Sequence, residues 1–183
     1  MQVLPNFSKE LTISLNYVLL INMEWKKIKS IIYEEDGSLR DIVMYNISET
    51  HWQKYIEFIN KNFKIEWEYM HEDLKTVETR NYIDFNEINY IWNNPDCNRW
   101  SPAEIYLKNI PIKVHFFDKD IFECSFWPYY IQAFDDHNLI IEHLKLISKL
   151  LDNDVYLYPE FSFHNINDGY YLKVNNDNIE YKI

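Results

Sequence analysis

Between residues 110 and 126 the chain alternates apolar and polar side chains with a period of two. Ile110, Ile112, Val114 and Phe116 are separated by Pro111, Lys113 and His115; Asp118-Lys119-Asp120 turns the chain; Phe122, Cys124 and Phe126 return. Successive side chains of a strand point to opposite sheet faces, so this pattern demands a hairpin with one apolar and one polar face. Such a sheet needs a cover for its apolar face.

Two segments switch to helical spacing and can supply that cover. Trp52, Tyr55, Ile56, Ile59 and Phe63 recur three and four apart behind Ser48, a natural N-cap, which predicts a helix over 48–62. Ile140, Leu144, Ile147 and Leu151 do the same over 136–151, with Asp135 or Asp136 at the positive dipole end. Elsewhere the pattern predicts strands. Ile28–Tyr33 and Leu39–Tyr45 flank the turn Glu35-Asp36-Gly37-Ser38 and read as a hairpin. Ile65–Tyr69, Val77–Phe85, Ile105–Leu107, Val155–Tyr158, Tyr170–Val174 and Ile179–Ile183 complete the set, with a short helix at Asn86–Trp92. Few helices among consecutive strands give an α+β fold: a mainly antiparallel sheet with the two principal helices, 48–62 and 136–151, on one face.

The chain is expected to be a single domain over residues 1–183. Residues 1–22 read either as an extra strand or as an extension before an alternative start at Met23. The apolar run Leu11–Ile21 holds Ser14, Asn16 and Tyr17, which makes it too short and polar for a bilayer span and unlike a secretory signal. Cys97 and Cys124 make no disulfide framework and are expected to be reduced thiols in a cytoplasmic protein.

Charge restricts the partners. The net charge is -11, and the excess of acid begins after residue 63: residues 23–63 carry six basic and seven acidic side chains, residues 64–183 carry 11 and 21. That field repels phosphate backbones and steers basic proteins inward, so no nucleic-acid partner is expected. Trp67 and Tyr69 lie among Glu66, Glu68, Glu72 and Asp73, and Trp127 and Tyr129 run into Asp135 and Asp136. Aromatic anchors ringed by acids suit a basic protein partner, and these ten residues are the expected binding set.

No catalytic residue, metal ligand or cofactor is expected. The six histidines lack the spacing of a helical zinc site, no Gly-x-Ser-x-Gly elbow occurs, and two glycines cannot build a phosphate-cradling loop. Cys124, on an apolar strand face beside Glu123, should be inert. Two alternatives to a binding role stay open. Glu180-Tyr181-Lys182, with Asp168 or Asp177, matches half of a metal-dependent nuclease pattern, and exposed strands could pair copies of the chain into a homo-oligomer.

Residues 23–63 carry Glu24-Trp25-Lys26, then Tyr33-Glu34-Glu35-Asp36-Gly37-Ser38-Leu39-Arg40-Asp41-Ile42, then Trp52 opening a helix. This stretch resembles small acidic bacterial proteins of the toxin-immunity type, found beside secreted toxins. The resemblance implies a cytoplasmic inhibitor that covers the active site of a toxin, often a basic nuclease.

Overall fold

In the computed structural model the described residues are 24–70, 77–94, 102–162 and 169–182. The chain divides into two compact units, Met1–Glu34 and Glu35–Ile183. Within the first, residues 24–32 form helix α1. Ser30 Oγ donates to the Lys27 carbonyl at 2.9 Å, and the Trp25 and Tyr33 rings lie 6.1 Å apart. The hairpin expected at Ile28–Tyr33 is therefore not formed. Trp25, Ile28, Ile31 and Ile32 sit at helical spacing, and that period overrides the β preference of the isoleucines. The turn after it is real but leads from a helix into a strand. Asp36 Oδ1 accepts from Ser38 N at 3.0 Å, Gly37 takes a φ of 83°, and the Ser38 hydroxyl lowers the Asp36 carboxyl to about 2.

The second unit is one nine-stranded antiparallel sheet with helices on one face. Its strands are β1 (Arg40–Tyr45), β2 (Lys64–Met70), β3 (Val77–Arg80), β4 (Ala103–Leu107), β5 (Ile110–His115), β6 (Ile121–Phe126), β7 (Val155–Pro159), β8 (Leu172–Asn175) and β9 (Asn178–Tyr181), and the sheet runs β3-β2-β4-β5-β6-β1-β7-β8-β9. Helices α2 (Glu49–Asn62), α3 (Phe85–Asn93) and α4 (Phe134–Leu151) cover it, with a 3₁₀ turn at Pro128–Tyr130. The α+β expectation and both principal helices hold. The strand expected over Val77–Phe85 stops at Arg80, because Asp84 accepts from Asn86 N at 2.9 Å and caps α3, whose first residue is Phe85. Of the closing strands, β7 forms as expected and runs one residue further to Pro159, while β8 and β9 are shorter and shifted from Tyr170–Val174 and Ile179–Ile183; Ile183 and residues 1–22 lie outside the described residues.

Strand parity sorts the side chains. Ile65, Ile105, Ile112, Val114, Phe122, Cys124, Ile42, Leu157, Leu172 and Val174 point toward the helices and are buried. Trp52 of α2 is the hub. Its ring lies 5.1 Å from Phe122, 5.5 Å from Trp92 and 5.6 Å from Phe116, and its Nε1 donates to the Lys119 carbonyl at 3.2 Å. Cys124 is a free buried thiol 3.9 Å from the Tyr55 hydroxyl, and burial pushes its pKa well up, which keeps it unreactive.

Helix α2 begins as a capping box: Ser48 N donates to His51 Nδ1 at 3.1 Å while Ser48 Oγ accepts from His51 N. Helix α4 is capped from inside, since Asp136 Oδ2 accepts from Ala133 N at 2.8 Å and Gln132 N at 3.0 Å. It ends on Asp152 in the left-handed region, φ 49° and ψ 48°. A β-carbon is strained there, and the carboxylate faces the negative end of the helix dipole. Asp152→Gly should therefore raise stability by about 0.5–1 kcal/mol net of the added unfolded-chain entropy, read as a higher urea midpoint with unchanged slope.

His143 of α4 is 4% exposed, edge-on to Phe63 at 5.7 Å, and neither ring nitrogen has a hydrogen-bond partner among the described residues. Burial lowers its pKa to about 4. A histidine held neutral in the folded state takes its proton first in the unfolded chain. Its contribution is therefore whole above the ordinary pKa near 6.5 and is lost as pH falls toward 4. His143→Leu should flatten that acid limb by about 3 kcal/mol at pH 4, measured by urea unfolding across the range. Burial also lowers His115 and His137 to about 4, which steepens the same limb. Asp41 and Glu123, raised by burial to about 6 and 7, oppose it, so the paired comparison of variant and parent isolates His143.

Candidate functional site: an acidic, tyrosine-lined groove on the sheet

The sheet face opposite the helices is built in cross-strand rows. Strand register sets Glu66 of β2 opposite Glu104 of β4, Glu104 opposite Lys113 of β5, and Lys113 opposite Ser125 of β6. The row continues through Asp41 of β1 to Tyr158 of β7. A neighbouring row sets Lys64 opposite Tyr106 and Tyr106 opposite Pro111. Alternation along each strand sends these side chains to one face because their neighbours Ile65, Trp67, Ile105, Ile112 and Cys124 fill the core.

Two adjoining cavities open on this face. One, of about 320 Å³, is walled by Tyr106, Trp127, Tyr129 and Tyr130. The other, of about 260 Å³, is lined by Glu66, Glu68, Thr79 and Pro102. Glu104 and Lys113 belong to both, so the two form a groove with an aromatic end and an acidic end. Trp127 and Tyr129 stack with ring centroids 5.7 Å apart and 22° between planes, and Tyr129 is 46% exposed. The Tyr129 phenol pKa is raised, first by its hydrogen bond with Tyr130.

The acidic end is organised around one phenol. The Tyr106 hydroxyl lies 3.0 Å from Glu66 Oε2 and 3.1 Å from Glu104 Oε2, and it carries a single proton for two carboxylates. Desolvation, followed by those two acceptors, raises its pKa well above the ordinary phenol value. Lys64 Nζ sits 2.6 Å from Glu66 Oε1 and 4.4 Å from the centre of the Tyr106 ring, and with Tyr106 it lowers the Glu66 pKa.

Toward the middle of the sheet the same face becomes buried. Asp41 is 3% exposed and its Oδ2 accepts from Phe161 N at 3.0 Å; Ser125 is 1% exposed and its Oγ lies 2.8 Å from His115 Nε2. The His115–Ser125 contact satisfies two polar groups at the floor of the aromatic cavity, which Ser125 lines. Among the described residues no three His, Cys, Asp or Glu side chains converge to hold a metal ion, and no helix is long and apolar enough to cross a membrane. Of the nuclease half-pattern, Asp177 is bound to Lys149 and Glu180 accepts from Tyr170 at 3.1 Å, while Asp168 lies outside the described residues.

The ten residues expected to bind a partner separate under this geometry. Glu66 lines the groove with its side chain 45% exposed, and Glu68 lines it from an exposed position. Trp127 and Tyr129 form the aromatic wall. Trp67 and Tyr69 are 0% and 5% exposed and belong to the core; the Tyr69 hydroxyl donates to Glu87 at 2.9 Å and the Arg80 guanidinium lies 3.9 Å over its ring. Their parity, opposite to that of Glu66 and Glu68, puts them under the helices. Asp135 is exposed in the first turn of α4 and Asp136 is spent on capping that helix. Glu72 and Asp73 lie outside the described residues. Glu104, Tyr106 and Lys113 were not anticipated. Ala103-Glu104-Ile105-Tyr106-Leu107 alternates, which puts Glu104 and Tyr106 on one face, but only the pairing of β4 with β2 brings them to Glu66.

Comparison with protein-family models, with curated proteins and with solved structures returns no match.

Proposed function

We propose that the chain is a non-catalytic binding protein that docks a basic protein on the acidic, tyrosine-lined groove, as an immunity-type inhibitor masking the active site of a bacterial toxin domain in the cytoplasm. The observation that carries this reading is the groove itself. Glu66, Glu68 and Glu104 are gathered at one end of a concave surface whose other end is a stack of exposed Tyr129 on half-buried Trp127. Tyrosine and tryptophan bring large contact areas at small entropic cost, and carboxylates around them select cations and speed encounter. The net charge of -11 adds a long-range field of the same sign.

The test is co-expression with a secreted toxin domain encoded directly beside the gene for this chain. The expected result is a one-to-one complex that survives purification and relieves the growth arrest caused by the toxin. A neighbouring toxin that neither associates at micromolar concentration nor loses its toxicity contradicts the reading.

A further inference from the structure

We infer that the chain pairs with a second copy of itself along β9, strand to antiparallel strand, about a two-fold axis at Tyr181. This surface is separate from the acidic groove, and the inference does not depend on the docking role proposed above.

β9 is the last strand of the sheet and is bonded to β8 on its inner side. Lys182 N donates inward to the Tyr171 carbonyl at 2.9 Å. Backbone groups of an antiparallel strand turn inward and outward at alternate residues, so Ile179 and Tyr181 direct their N–H and C=O groups to the outer edge. Such an edge is a template for a further strand unless a proline, a bulge or a lone lysine blunts it. β9 holds no proline, its register with β8 runs without a bulge from Leu172–Tyr181 to Asn175–Asn178, and Lys182 is balanced by Glu180.

Charge fixes the occupant and the register. In an antiparallel copy centred on Tyr181, Glu180 of each chain faces Lys182 of the other, and the two Tyr181 side chains face each other across the axis. Moving the axis by one residue toward either charge sets Glu180 or Lys182 against itself. The side chains are already placed for this pairing. The Tyr170 hydroxyl donates to Glu180 Oε1 at 3.1 Å, and Lys182 Nζ lies 4.7 Å from the centre of the Tyr170 ring. On the opposite sheet face the Tyr181 hydroxyl lies 3.0 Å from His137 Nε2, and Tyr181 is 38% exposed. Side chains held before association lose less entropy on binding.

The net charge of -11 on each chain opposes the approach of two copies. At about 0.15 M salt that repulsion is screened beyond about 8 Å. Cross-strand partners sit about 4.5–5.5 Å apart, inside that length, so the Glu180–Lys182 pairs outweigh it. β9 is at the far end of the sheet from β2 and β4, so each copy keeps its groove.

Sedimentation equilibrium of the full chain tests the pairing. The parent should be a reversible dimer with a Kd of about 100 µM or tighter, in keeping with a short interface. Glu180→Lys and Lys182→Glu each set like charges across the axis and should weaken it about tenfold or more. Repulsion between whole chains would instead move the two variants in opposite directions, because one lowers the net negative charge and the other raises it. Mixed in equal amounts, the two variants should pair with each other at the parent's strength, since every lysine then faces a glutamate. The double swap Glu180→Lys with Lys182→Glu keeps the parent's net charge and should dimerise as the parent does. Thermal unfolding of each variant checks that the sheet is intact. A parent that stays monomeric at about 1 mM overturns the pairing, as does a dimer that survives both single reversals. Failure of both the mixture and the double swap to restore association overturns it too. Species larger than a dimer would mean that β9 meets another edge in an open series, and would overturn the two-fold axis.

Discussion

Trp52→Ala should destabilise the protein by about 3–5 kcal/mol, measured as a fall in the urea midpoint. The ring is fully buried, sits against Phe122, Phe116 and Trp92, and donates to the Lys119 carbonyl in the turn between β5 and β6. Truncation opens a cavity where α2, α3 and the central hairpin meet, and it strands a carbonyl whose donor has gone. Domains are stable by only about 5–15 kcal/mol, so this one change removes a large share of the total. Trp52→Phe separates the two causes. It keeps most of the packing and loses the hydrogen bond, and should cost about 1–2 kcal/mol. Equal costs for the two variants would show that the hydrogen bond, and not the packing, makes Trp52 the hub.

The second large effect is on association. Reversing Glu66, Glu68 and Glu104 to lysine together should slow binding to a basic partner by about 10–1000-fold at low salt, mostly in the on-rate. The three carboxylates lie at one end of the groove, and replacing them with cations changes local charge by six at the proposed docking surface. All three side chains lie on the sheet face away from the core, but the reversal sets like charges against Lys64 and Lys113, so the urea midpoint of the variant is measured first to show that the sheet is intact. Reversing Glu57, Glu142 and Asp177, three exposed acids that do not line the groove, changes the charge by the same six and is the matched control, with a much smaller expected effect. A triple variant that binds at the parent rate would place the interface elsewhere.

Much of the fold was legible in the sequence because the two periods are strong. The run from Ile110 to Phe126 formed the hairpin β5–β6, and Trp52, Tyr55, Ile56 and Ile59 formed the buried stripe of α2. The misreading at Ile28–Tyr33 has a plain cause: β-branched residues favoured a strand, while their three- and four-residue spacing, which prevailed, favoured a helix. The site was less legible. Alternation in Glu66-Trp67-Glu68-Tyr69 meant that acids and rings must part to opposite faces, so they could not form one exposed patch. The groove depends on long-range register, with Glu66, Glu104 and Lys113 brought side by side from three strands. A local pattern carries no register across a connection as long as that between β2 and β4. Trp127 and Tyr129, at the 3₁₀ turn after β6, line the aromatic end of the groove, Tyr129 exposed and Trp127 half-buried.

The most direct test of the acidic groove as a docking surface is the salt dependence of association with the proposed basic partner, for the parent and for the Glu66, Glu68 and Glu104 reversal, by stopped flow. From 0.01 M to 1 M salt the screening length shrinks from about 30 Å to about 3 Å. The parent on-rate should fall steeply over that range, and the reversed variant should start slow and change little or rise. Identical salt profiles for the two proteins would contradict the assignment of the groove.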